Sequence, residues 1–177
     1  MFPQLPIQAP ILYRFADVRV TTVGKIDDLF PGSPITDACH VENNRDAEAA
    51  VLRAAREPGP RLVFANLIDF DMLYGHRRDA AGYAAALQRT DEFLGRLVPM
   101  LTAGDLLIVT ADHGNDPTFP GTDHTRELVP LLALQPGAPG LPLGIRQGFY
   151  DVAQSLAAFF GAPPAPRGTD FFAAEPR

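Results

Sequence analysis

Five side chains in this sequence have the types and spacing to hold divalent metal ions. Asp112 and His113 stand together in the segment TADHGNDPTFPGTDHTRE, residues 110–127, and His124 follows eleven residues after His113. Upstream, Asp71 and His76 lie five residues apart in DFDMLYGHRRD, residues 69–79. Carboxylate and neutral imidazole suit borderline-hard ions such as Mn, Zn or Fe. Taken singly, an Asp here could cap a helix and a His could be a core residue. Clustered as two, two and one, they read as metal ligands.

The elements that must position them are two apolar runs, residues 62–68 (LVFANLI) and 106–110 (LLIVT), each read as a buried strand. Both Asp–His sets follow the carboxyl end of a run, which is where ligands bind in open α/β sheets. The β-branched run at 18–23 reads as a first strand closing at Gly24. A helix from Asp46 to Arg56, N-capped by Asn44 or Asp46, ends at residues 58–60 (PGP). A second helix, capped by Asp79 and running to about Leu101, shows an apolar stripe of Tyr83, Leu87, Leu94, Leu97, Val98 and Leu101. Residues 129–134 form a further strand, with Pro130 placing it at an edge. A last helix, capped by Asp151, turns Val152, Leu156, Phe159 and Phe160 inward. Residues 1–16 show no period, and the Pro-rich tail 163–177 is expected to be loose unless Phe171 and Phe172 dock. The expectation is one α/β domain over 1–177, with a mostly parallel sheet flanked by helices and the strands near 18–23, 61–68 and 105–110 adjacent.

Composition narrows the function. A net charge of −6 disfavours a nucleic-acid surface, yet two bound divalent ions would still offer a phosphate local positive charge. The single Cys39 rules out an intrachain disulfide and reads as a small buried hydrophobe. His40 reads as a surface or loop histidine, and Arg77, Arg78, Arg89 and Arg96 as solvated or ion-paired. No stretch approaches the roughly 18 apolar residues of a membrane span, and the N-terminus is a poor signal peptide. A cytoplasmic protein is expected.

Asp71-x4-His76, then TADHG at 110–114, then GTDHTRE at 121–127 resemble the metal-binding motifs of phosphopentomutase, of the alkaline phosphatase superfamily. The similarity runs from about Val18 to about Gly161. The related cofactor-independent phosphoglycerate mutases set their upstream Asp and His one residue closer.

The resemblance implies an alkaline-phosphatase-like core fragment with the cap domain absent. It also implies interconversion of ribose 1-phosphate and ribose 5-phosphate, and of the deoxyribose equivalents, through two Mn2+ ions. Asp71, His76 and His124 match the first metal site in full. Asp112 and His113 match the second, which also needs an aspartate and a hydroxyl nucleophile from an N-terminal half with no counterpart here. No catalytic nucleophile is therefore assigned; Thr110, Thr118, Thr122 and Thr125 read as turn or strand residues. Lys25 matches the lysine of the family's Gly-Lys-Ile motif and is the phosphate-binding candidate. The implied partners are a sugar phosphate and either a second copy or a separate N-terminal half, since an absent strand would leave a sheet edge open. Two other readings stay open. One is a degenerate, non-catalytic metal-binding or interaction protein. The other is a metal-dependent phosphatase or phosphodiesterase using water in place of a side-chain nucleophile.

Overall fold

A computed structural model describes residues 17–30 and 32–173 of the chain. Its best-buried strand is β1, Arg19–Val23. Val20, Thr22 and Val23 are at most 1% exposed there. A parallel strand covered on both faces reads as an unbroken β-branched run rather than an alternating one, which accounts for the sequence VTTV. β2, Asp37–Cys39, and β3, Arg61–Ala65, pair with β1 on either side, both parallel, in the order β2-β1-β3. The register sets Val20 opposite Leu62, and Val23 opposite both Cys39 and Ala65.

Helices cover this sheet. The short α1, Ile26–Leu29, follows β1 directly. α2, Asn44–Ala54, lays Ala47 and Ala50 on Val23, with Cys39, Val41, Val63 and Leu67 around them. Its N-cap is Asn43, whose side chain accepts from the Asp46 amide, one residue before the expected Asn44. Asn44 does something else: its amide donates to the Asp69 carboxylate, and its side-chain oxygen accepts from the Asp69 amide. That reciprocal pair pins the start of α2 to the segment after β3.

α3, Ala80–Leu97, is capped as expected by Asp79, which accepts from the Gly82 amide. Its buried stripe differs from the expected one. Ala86, Phe93 and Leu97 are buried, while Leu87 is 54% exposed and Val98 ends the helix at the surface. Residues 86, 93 and 97 recur at seven and four, one face of a 3.6-residue helix, and Leu87 lies about 100° around from it. Phe93 and Leu97 pack with Leu52 of α2 and with Leu94, Met100, Leu101 and Leu107.

The strand expected beside β1 and β3 is placed differently. β4, Leu107–Thr110, pairs antiparallel with β5, Leu131–Leu134, in a separate two-stranded sheet, Leu107 opposite Leu134 and Thr110 opposite Leu131. It meets the rest of the core through side chains, Leu107 packing against the cluster of Leu52, Phe93 and Leu97. An apolar run signals burial but not which neighbour its backbone pairs with, and that explains the difference. The parallel sheet with helices on it stands as expected.

α4, Tyr150–Phe159, begins one residue before the expected Asp151 cap. Its most buried positions are Asp151, Ser155 and Ala157; Val152, Leu156, Phe159 and Phe160 are only partly covered. The polar pair is inside because it receives the following chain. Asp151 accepts from the Thr169 amide, Ser155 from the Phe171 amide and Gln154 from the Ala165 amide. Phe171 is 2% exposed. Of the two outcomes left open for the tail, docking through Phe171 is the one seen over these residues, and 174–177 lie outside the described residues, as do 1–16. No helix among the described residues is long and apolar enough to cross a membrane.

Candidate metal centre

Asp71 sits in a turn of π-helix, Phe70–Gly75, separated from the end of β3 by residues 66–69, with His76 at its end. On an α-helix, two residues five apart point about 140° away from each other. Here the His76 amide bonds back to the Asp71 carbonyl, an i to i+5 closure that widens the turn and lays one residue over the other. His76 Nε2 consequently lies 3.3 Å from Asp71 Oδ2. Its other ring nitrogen, Nδ1, faces the Thr122 carbonyl. A carbonyl only accepts, so Nδ1 carries a proton there, and the tautomer is set by that contact.

β4 ends at Thr110, and the loop after it supplies the remaining groups. Gly114 and Thr125 form an isolated antiparallel bridge, the Thr125 amide donating to the Gly114 carbonyl at 3.0 Å. The Thr125 hydroxyl accepts from the Asp116 amide, and the Thr118 hydroxyl donates to the Asp116 carboxylate. These bonds close the loop and carry His124 back onto His113, their rings stacked at 3.6 Å between centroids. Gly114 permits the closure. A Cβ there would meet the Thr125 carbonyl and the backbone and side chain of Glu127. His124 Nε2 then reaches Asp71 Oδ1 at 3.3 Å, and its ring lies 5.0 Å from that of His76.

Four of the five expected side chains therefore converge on one point of the molecule. Asp71, His113 and His124 each offer a ligand atom within 4.8 Å of the others, and they could hold a metal ion. His76 joins them through Asp71. Asp112 is 88% exposed, with Oδ2 3.6 Å from His113 Nε2. His113 thus lies beside both Asp112 and the Asp71–His124 pair. Lys25, exposed just past β1, has its amide bonded to the Asn66 side chain and its Nζ 3.6 Å from the Met72 sulfur. It stands at the same end of the parallel sheet, beside the π-helical turn.

The donor set fits a cation. With Nδ1 of His76 held against a carbonyl, Nε2 faces the Asp71 carboxylate, and a cation placed between them would be held by both. The surroundings are acidic as well. Burial first, then Asp71, Asp116 and Glu127, hold the Tyr83 phenol above its ordinary pKa. Asp116 is held below the usual carboxylate range by its bonds from Thr118. Asn115 and the Thr122 carbonyl, both in contact with the cluster, carry no signal in the sequence beyond lying within its motifs.

A family model of the metalloenzyme superfamily matches residues 20–164. The chain belongs to that superfamily. Among curated relatives, the phosphopentomutase of Caldanaerobacter subterraneus subsp. tengcongensis is 48% identical over 161 residues, which are 90% of this chain and 41% of the relative. That of Rhizobium rhizogenes is 44% identical over 173 residues, 96% of this chain and 43% of the relative. That of Anaeromyxobacter sp. strain K is 46% identical over 174 residues, 97% and 45%. This metalloenzyme-superfamily chain thus spans about two fifths of the length of the relatives it matches. Its α/β architecture, with a parallel sheet flanked by helices, is consistent with an alkaline-phosphatase-like core.

Proposed function

We propose that this chain is the metal-holding part of a phosphopentomutase-type centre, acting on ribose 1-phosphate, ribose 5-phosphate and their deoxyribose equivalents. The observation that carries the reading is the convergence of Asp71, His76, His113 and His124 behind two different strands. The similarity to phosphopentomutases supplies the reaction class. Asp71, His76 and His124, with His113 and Asp112 beside them, are the proposed ligands, and Mn2+ the proposed ion. When bound, such ions neutralise phosphate charge and make a hydroxyl a better nucleophile at neutral pH.

The chain's own groups have narrower tasks. The Thr122 carbonyl holds His76 in the tautomer that presents Nε2. The Gly114–Thr125 bridge keeps His113 and His124 in register. Lys25 is the proposed phosphate contact, a point charge on a flexible stem at the sheet end. The hydroxyls of Thr118 and Thr125 are engaged in closing the loop, so neither is proposed as a nucleophile. No nucleophile or cap for the sugar phosphate is assigned among the described residues. The setting proposed for this is the cytoplasm.

The test has two arms. In calorimetry the purified chain should bind Mn2+, and His124→Ala should weaken binding about tenfold or more. An absence of binding, or an unchanged affinity in the variant, would remove the metal assignment. In a turnover assay the Mn2+-loaded chain alone should convert no ribose 1-phosphate. Covalent phosphoryl transfer needs a carrier, and positioning contributes many orders of magnitude in rate. Activity should appear on mixing with the N-terminal portion of a phosphopentomutase. Robust turnover by the chain alone would overturn the component reading.

A further inference from the structure

We infer that Asn115 is a positioning residue of the metal centre, fixing the Asp71 carboxylate and latching the π-helical turn to the loop after β4; this rests on the reading of Asp71 as a ligand. The Asn115 side-chain amide donates to Asp71 Oδ1. A carboxylate only accepts, so it is the NH2 end of the amide that faces it. The terminal torsion of an aspartate is broad and does not fix its oxygens unaided. Among the described residues near this carboxylate, His76, His113 and His124 are themselves proposed ligands. The Asn115 contact is a pure donor. An amide NH2 stabilises the ionised carboxylate and cannot compete with it for a cation.

Two further observations show that this contact is built in. The backbone on either side of Asn115 is pinned, Gly114 by its bridge to Thr125 and Asp116 by its amide bond to the Thr125 hydroxyl. Opposite, the amide lies against Gly75, the last residue of the π-helical turn. A Cβ at Gly75 would fall within the Asn115 amide group, touching its carbon, nitrogen and oxygen. Gly75 is buried and has no positive φ, so its backbone does not demand glycine. The absence of a side chain at 75 is what lets Asn115 approach. One contact therefore joins the segment bearing Asp71 and His76 to the segment bearing His113 and His124.

The experiment is a double-mutant cycle read by Mn2+ calorimetry, on the wild type, Asn115→Ala, Gly75→Ala and the double variant, each also melted without metal. Asn115→Ala should weaken Mn2+ binding about 10- to 100-fold, the usual cost of losing a partner that orients a ligand, with the metal-free melting transition retained. Gly75→Ala should act in the same direction because its methyl displaces the amide. The double variant should bind no more weakly than Asn115→Ala alone, because one contact is lost in all three. Affinities within twofold of wild type, or losses that multiply in the double variant, would overturn the positioning role. So would loss of the folded state in both single variants, which would make the contact purely structural. No Mn2+ binding by the wild type would instead defeat the metal reading, and this inference with it.

Discussion

Glu48 and Asp71 are carboxylates in two different surroundings. Glu48 on α2 is 8% exposed, and burial pushes its carboxyl above the ordinary range despite the Thr90 hydroxyl and the charges of Arg96 and Arg89. Between the ordinary glutamate pKa and this raised value, the folded chain holds more protons than the unfolded one. Stability therefore falls as pH rises through that window. Glu48→Gln keeps an acceptor for Thr90 and removes the buried charge. It should melt higher than wild type at pH 7, with the gap closing as the pH is lowered past 4.5, as thermal melts over a pH series would show. A gap that widens on acidification would refute this. Asp71 lies instead among two imidazoles and an amide donor, a setting that suits a bound cation.

Among the elements, α3 separates a sequence pattern from a packed one. Leu87 belongs to an apolar series that looks continuous, yet the face that meets α2 and β4 carries Ala86, Phe93 and Leu97. Phe93→Ala should cost about 3–5 kcal/mol through lost burial and the cavity left behind. Leu87→Ala, at a position 54% exposed, should cost no more than about 0.5 kcal/mol. Equal losses in urea unfolding would put the stripe where the sequence alone suggests. The π-helical turn makes the same point for the site. The five-residue spacing of Asp71 and His76 is in the sequence, but the i to i+5 closure that makes it useful is a tertiary outcome.

For the molecule as a whole, backbone pairing is uneven. β1 has ladders on both sides and almost no exposure, whereas β4 and β5 have only each other among the described residues, with Leu132 61% and Leu134 37% exposed. Two-stranded ribbons are marginal unaided, and protection follows burial and ladder count. Amide hydrogen exchange should therefore be slowest at residues 20–23 and at least about tenfold faster along β4 and β5. Exchange in β4 as slow as in β1 would contradict this.

The sequence by itself supplied the candidate ligands' types and their places past strand ends, because these are local properties of a short segment, and its motifs carried the resemblance to the superfamily that the family match bears out. It determined the β-branched β1 and the Asp79 cap for the same reason. Only the tertiary structure decided that β4 pairs with β5, that Asn43 caps α2, and that Asp151 and Ser155 face inward to hold the tail. It alone placed His113 with Asp71 and His124, left Asp112 in solvent, and set Asn115 over Gly75. Each of these depends on which distant backbone or side chain comes within bonding distance, and an apolar run or a polar side chain states a need for a partner without naming it.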